Sequence, residues 1–112
     1  MWVGLAAAIV GMAGCSIGPR TFGVSYNNKE GTVDNRGQVV MRYQFGEVPF
    51  KPYVQELRSP KGVQVLRDAP ADHLHHHALM FAVAVDGVDF WAETPGCGKQ
   101  VHKSNSIMAH AR

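Results

Sequence analysis

Four of the six histidines of this 112-residue chain fall within five positions, in Asp72-His73-Leu74-His75-His76-His77. Imidazole has an ordinary pKa of about 6.5, so it gives and takes protons near neutrality. It is also a common ligand of divalent metals. Three readings follow from the residue types. In the first, His75 and His76 exchange protons with a hydroxyl or ring oxygen of a sugar, and a carboxylate, Asp89 or Glu93, is the matching base. Asp72, Trp91 and Tyr53 then contact the substrate, the aromatic rings by stacking on its apolar face. In the second, an extended backbone directs His73, His75 and His77 to one side and His76 to the other. His73, His75 and His77 would hold a divalent metal such as zinc or copper, with Asp72 beside them or orienting a ring from outside. In the third, the string is a solvated loop whose imidazoles cap and hydrogen-bond. For Trp91, Phe90 and Tyr53 core packing is the stronger reading, since aromatics dominate cores. Cys97, between Gly96 and Gly98, reads as a loop thiol, since no base is evident near it. His102 returns toward the cluster if its strand pairs nearby.

The elements that must position these groups read as β. Twelve Gly and six Pro imply many turns. Phe22, Val24 and Tyr26 alternate with Gly23 and Ser25, and Ile17–Arg36 is otherwise polar and turn-rich. Asp34-Asn35-Arg36-Gly37 reads as a hairpin turn. Gln38–Phe45 follows as a strand, with Val39, Met41, Tyr43 and Phe45 on one face and Val40, Arg42 and Gln44 on the other. Tyr53–Arg58 is a second strand, Ser59-Pro60-Lys61-Gly62 a β-turn, and Val63–Arg67 the strand that pairs back. Ala78–Val85 is continuously apolar, as in a strand covered on both faces, and Asp86-Gly87 turns it into Val88–Trp91.

The totals bound the class. At 46% apolar residues the chain forms at most one small domain. Eleven basic residues against nine acidic ones are scattered singly, without the stripe of cations that nucleic acid requires. Two cysteines, Cys15 and Cys97, make no disulfide framework. Residues 1–14 carry no charge, and Val3–Ala13 has the length and composition of a signal-peptide apolar region, too short to span a bilayer. Met12-Ala13-Gly14-Cys15 resembles the bacterial lipobox, in which the cysteine is lipidated, although no Lys or Arg precedes the apolar run. The expected organisation is a lipoprotein-type signal peptide over 1–14, a linker with a first short strand over 15–37, and the start of a β-sandwich domain over 38–112. The expected address is the bacterial cell envelope, periplasm or outer membrane, with the membrane reached through a lipid on Cys15.

Met41-Arg-Tyr-Gln-Phe45, Val48-Pro-Phe-Lys-Pro-Tyr53, Ser59-Pro-Lys-Gly62, Arg67-Asp-Ala-Pro70, Asp72-His73-Leu74-His75-His76 and Gly87-Val-Asp-Phe-Trp91 follow one another at close spacing. Over residues 38–103 this order resembles the PmoA-like family of secreted bacterial proteins, catalogued as "methane oxygenase". The chain departs from that family's pattern at Leu74, His77, Ala78 and Met80. The resemblance implies an all-β fold, a partial β-sandwich of antiparallel hairpins similar to the galactose-mutarotase-like supersandwich, with this chain as the amino-terminal part of a longer protein. A methane monooxygenase membrane subunit needs several transmembrane helices, and nothing after residue 15 is long and apolar enough to supply one. A carbohydrate or other small-molecule ligand fits an exported β-sandwich better. The expectation is therefore carbohydrate processing or binding at the envelope through the histidines. The alternatives are a copper- or zinc-binding oxygenase-like protein and a non-catalytic glycan-binding module.

Overall fold

The computed structural model of the chain describes residues 22–105. Residues 1–14, expected to be a signal peptide, and Cys15 lie outside the described residues. Within them the protein is all-β and antiparallel, with two sheets and no helix, an arrangement consistent with a partial β-sandwich. The five strands of the larger sheet lie in chain order: β1 (Phe22–Tyr26), β2 (Glu30–Asn35), β3 (Gln38–Gln44), β4 (Tyr53–Leu57) and β5 (Leu79–Met80). The smaller sheet is one hairpin, β6 (Ala84–Val85) and β7 (Val88–Asp89).

Local chemistry sets the turns. The Asn27 side-chain oxygen accepts from the N–H groups of Lys29 and Glu30 at 2.7 and 2.8 Å, closing β1 onto β2. Arg36 and Gly37 both have positive φ, at 55° and 81°, as a two-residue hairpin demands, and Asp34 accepts from the Gly37 N–H. Asp86 and Gly87 repeat this at φ 50° and 79° between β6 and β7. The Ser59–Gly62 turn forms as expected, with Gly62 N–H donating to the Ser59 carbonyl at 2.8 Å.

Register sorts the faces of the large sheet. Val24 faces Val33, Val33 faces Met41, and Tyr43 faces Val54, so these side chains line one apolar surface. The opposite face is a polar ladder. Arg42 binds Glu30 at 2.6 Å and Glu56 at 3.3 Å, and Gln44 links Glu30 to Gln55. Bulges after Val33 and after Arg42 keep the two chemistries apart. Among the described residues no hydrophobic side chain is fully buried, and the one side chain that is belongs to Lys51, 1% exposed.

Three expectations are corrected. The stretch read as turn-rich before Arg36 contains β2, because Thr32 and Val33 extend the chain between two Asn-built turns. Val63–Arg67 makes only the Arg58–Gln64 bridge and not a full strand. The Gln64 amide itself takes the strand's backbone partners, accepting from Leu57 N–H and donating to the Gln55 carbonyl, both at 3.1 Å. Ala78–Val85 is not one strand covered on both faces. It divides into β5, at the edge of the large sheet, and β6, in the hairpin, with Leu79 and Phe81 exposed.

Candidate functional site

The histidine segment is a pinched loop. Ala69 N–H donates to the His76 carbonyl at 3.0 Å and closes residues 69–76. Inside it, His73 N–H bonds the Pro70 carbonyl and His76 N–H bonds the His73 carbonyl, so two turns replace the expected extended run. Pro70 starts the first of them, since its fixed φ suits a turn and not a central strand.

This curvature divides the histidines. At the tip, the His73 and His76 rings stack at 4.7 Å, and His75 meets His76 edge-on at 4.4 Å. Trp91, just past β7, stands against both: its ring lies 5.7 Å from His75, edge-on, and 5.7 Å from His76, nearly parallel. Trp91 is 44% exposed and also lines an open hollow of about 430 Å³ with Ala82, Val83, Ala84 and Asp89. Asp72 reaches the His73 ring at 3.1 Å. The His76 pKa is lowered from the ordinary value. Partial desolvation is the main cause, followed by the positive charges that His75 and His73 would carry; Asp72 opposes the shift, and Lys51 adds to it. His76 therefore takes up a proton less readily than a free imidazole.

At the neck, His77 leaves the cluster. Its Nδ1 lies 3.0 Å from Asp68 and its Nε2 3.0 Å from Glu93, and the Tyr53 ring stacks on it at 4.1 Å. Lys51 donates to the same Glu93 oxygen at 2.9 Å and to the Trp91 carbonyl at 2.5 Å. A neutral imidazole carries one N–H, so two carboxylate contacts are both hydrogen bonds only when a proton lies on each side of the ring. The Lys51 ammonium stands against the Glu93 carboxylate on the far side of this contact. Burial raises the Tyr53 pKa, and the charge of Asp68, its hydrogen bond to Tyr53 and the charge of Glu93 add to the effect.

The expected site residues are therefore partly gathered. His75, His76 and Trp91 meet, with His73 and Asp72 alongside. Tyr53 does not join them: it packs on His77 at the neck. Asp89 lines the hollow, but its carboxylate accepts from the Trp91 and Ala92 N–H groups at 2.7 and 3.3 Å and forms a turn. Of Asp89 and Glu93, Glu93 is the one that reaches an imidazole, and that imidazole is His77. The metal set His73, His75 and His77 is not assembled, because the turns carry His77 to the neck. Among the described residues no group of three or more His, Cys, Asp or Glu is arranged to hold a metal ion. His102 lies instead against Phe45, at 4.3 Å, and Tyr43. Cys97 is a free thiol beside the Thr94 hydroxyl. Lys51 and Asp68 were not singled out by sequence, although a lone cation in Pro49-Phe50-Lys51-Pro52 stands out in an apolar, proline-framed stretch.

Compared with known proteins, the chain matches no curated protein and no solved structure. Residues 31–112 match the profile of a family of unknown function, DUF6807. That match corrects the PmoA-like assignment expected from the motif order, since no methane oxygenase family is found. The match covers most of the chain, histidine loop and Trp91 included, and the protein belongs to the DUF6807 family of unknown function.

Proposed function

We propose that this protein binds a carbohydrate on the Trp91 platform, with His75 and His76 as its polar contacts. The observation that carries this reading is the half-exposed indole, edged by two imidazoles and open to the hollow beside it. A sugar has apolar C–H faces that pack on an aromatic ring, and hydroxyls that need donors and acceptors at its rim. His76, whose pKa is lowered, is suited to accept a proton from a sugar hydroxyl, so the same surface supports proton-transfer chemistry. The apolar run Val3–Ala13 and the Met12-Ala13-Gly14-Cys15 motif support an envelope location by a lipid anchor, tested by mass spectrometry for a diacylglycerol on Cys15.

Titration calorimetry against a panel of oligosaccharides tests the binding reading. Trp91→Ala is expected to weaken binding about tenfold, near 1.4 kcal/mol, as the loss of one stacked ring implies. Binding that is unaffected by Trp91→Ala, or no binding across the panel, refutes it. Turnover by the parent that His76→Ala abolishes while binding persists identifies an enzyme; binding without turnover identifies a glycan-binding module.

A further inference from the structure

The tip of the loop gathers three imidazoles and only one carboxylate. The His73, His75 and His76 ring centres lie 4.4 to 6.1 Å apart. Asp72 is largely exposed and engages His73 alone among them. Beneath them Lys51 is buried, with its charge committed to Glu93 and its remaining contact to the Trp91 carbonyl. Asp89, across Trp91, has a carboxylate oxygen occupied by two backbone N–H groups. Among the described residues no carboxylate forms an ion pair with His75 or His76, and the charge of Asp72, which favours protonation of His76, is itself paired to His73 and largely exposed. Like charges at such spacing repel, and an external anion offsets that repulsion.

We infer that the carbohydrate is an acidic one, a uronate whose carboxylate lies against His75 and His76 while its ring rests on Trp91. This rests on the carbohydrate reading above and adds to it the charge of the ligand. A carboxylate presents two acceptor oxygens, and protonated imidazoles are donors at both nitrogens, so two neighbouring rings can be engaged at once. Desolvation first, then the charges of His75, His73 and Lys51, lower the affinity of His76 for protons in the free protein, and an anionic ligand offsets the part due to the charges. Because the bound state holds protons more tightly, affinity rises as the pH falls through the histidine range. A uronate remains ionised there, since ordinary carboxylates titrate near 4.

The test compares trigalacturonate with its methyl ester, which keeps the rings and removes the charge. Calorimetry on the full 112-residue chain at pH 7.5 and pH 5.5 is sufficient and requires no variant. The acid is expected to bind about tenfold tighter at pH 5.5 than at pH 7.5, with proton uptake, and the ester to bind weakly and equally at both. His76→Gln is expected to reduce the pH dependence for the acid. If the ester binds as well as the acid at pH 5.5, the charge inference is overturned and the carbohydrate reading stands. If neither these nor any other sugar binds, both fall.

Discussion

Replacing Lys51 by Met removes the charge at the centre of the neck while keeping an apolar stem of similar length. The ammonium donates to Glu93 at 2.9 Å and to the Trp91 carbonyl at 2.5 Å, and its side chain is wholly shielded from water. Removing one partner of a buried ion pair costs about 3–5 kcal/mol, chiefly because the other charge is left behind. Glu93 is 15% exposed and keeps His77, which places the cost at the lower end, about 3 kcal/mol including the orphaned carbonyl. With a urea slope of about 1.5 kcal/mol per molar, the midpoint falls by about 2 M. Urea unfolding followed by tryptophan fluorescence measures this, with both proteins in an excluded osmolyte so that a weak variant remains folded at the start. Lys51→Met combined with Glu93→Gln should recover at least half the loss, because the stranded charge is gone. A midpoint within roughly 0.5 M of the parent for Lys51→Met, at unchanged slope, would refute the claim that this charge holds the neck.

Three further outcomes are expected. In proton NMR titration His76 should have its midpoint below the ordinary 6.5 and move back toward it in a His73→Ala, His75→Ala background, because two of its named causes are removed. Since folding lowers this pKa, the unfolded chain binds the proton more readily; the contribution of His76 to stability is intact above pH 6.5 and is lost as the pH falls through that window. Ultraviolet titration should find the Tyr53 phenolate forming above the ordinary value of 10, and Asp68→Asn should lower it by removing a charge and a hydrogen bond while burial remains. Gly46→Ala should cost about 1–3 kcal/mol in thermal or urea unfolding, because a methyl there would stand 2.4 Å from the Asn28 carbonyl oxygen and 2.6 Å from the Lys29 Cα, both backbone atoms that cannot turn aside.

Strands whose period was clean are present where the sequence placed them. Phe22, Val24 and Tyr26 alternate through β1, and Val39, Met41 and Tyr43 through β3, because alternation over five or more residues maps onto one face of a pleated sheet. The Arg36-Gly37 and Asp86-Gly87 turns were equally legible, since few residue pairs accept two consecutive positive φ angles. The Ala78–Val85 run misleads because continuous apolarity carries no period; it does not disclose the break that sends Leu79 to one sheet and Val85 to another. The site was half legible. That His75, His76 and Trp91 belong together could be anticipated from composition, but reading His73, His75 and His77 as one face assumed an extended backbone. Pro70 and two local hydrogen bonds defeat that assumption. Lys51 and Asp68 were hidden because a charge's partner depends on tertiary contact, and sequence spacing says nothing about contacts of Lys51 with Trp91 across forty residues.

His76 and His77 are adjacent yet do different work, and the closure between them is the cause. The Ala69–His76 backbone bond ends the loop at His76, so that ring stays at the tip, while the next residue falls between Asp68 and Glu93. No hydrophobic side chain is fully buried among the described residues, and beside the stacked rings the charges of Lys51, Glu93 and Asp68 gather at the neck. Those charges are tight and shielded: contacts of 2.9–3.0 Å between groups at most a quarter exposed lie well inside the roughly 8 Å screening length of physiological salt. The tip differs, since His73 and Asp72 are open to solvent and their attraction is screened. Raising the salt concentration should therefore weaken an anionic ligand's hold at the tip while leaving the Trp91 fluorescence of the free protein, anchored through the Lys51–carbonyl bond, nearly constant. If salt instead shifts that fluorescence in parallel with ligand affinity, the neck is not an independent anchor, and the separation of a structural His77 from the ligand-facing His75 and His76 fails.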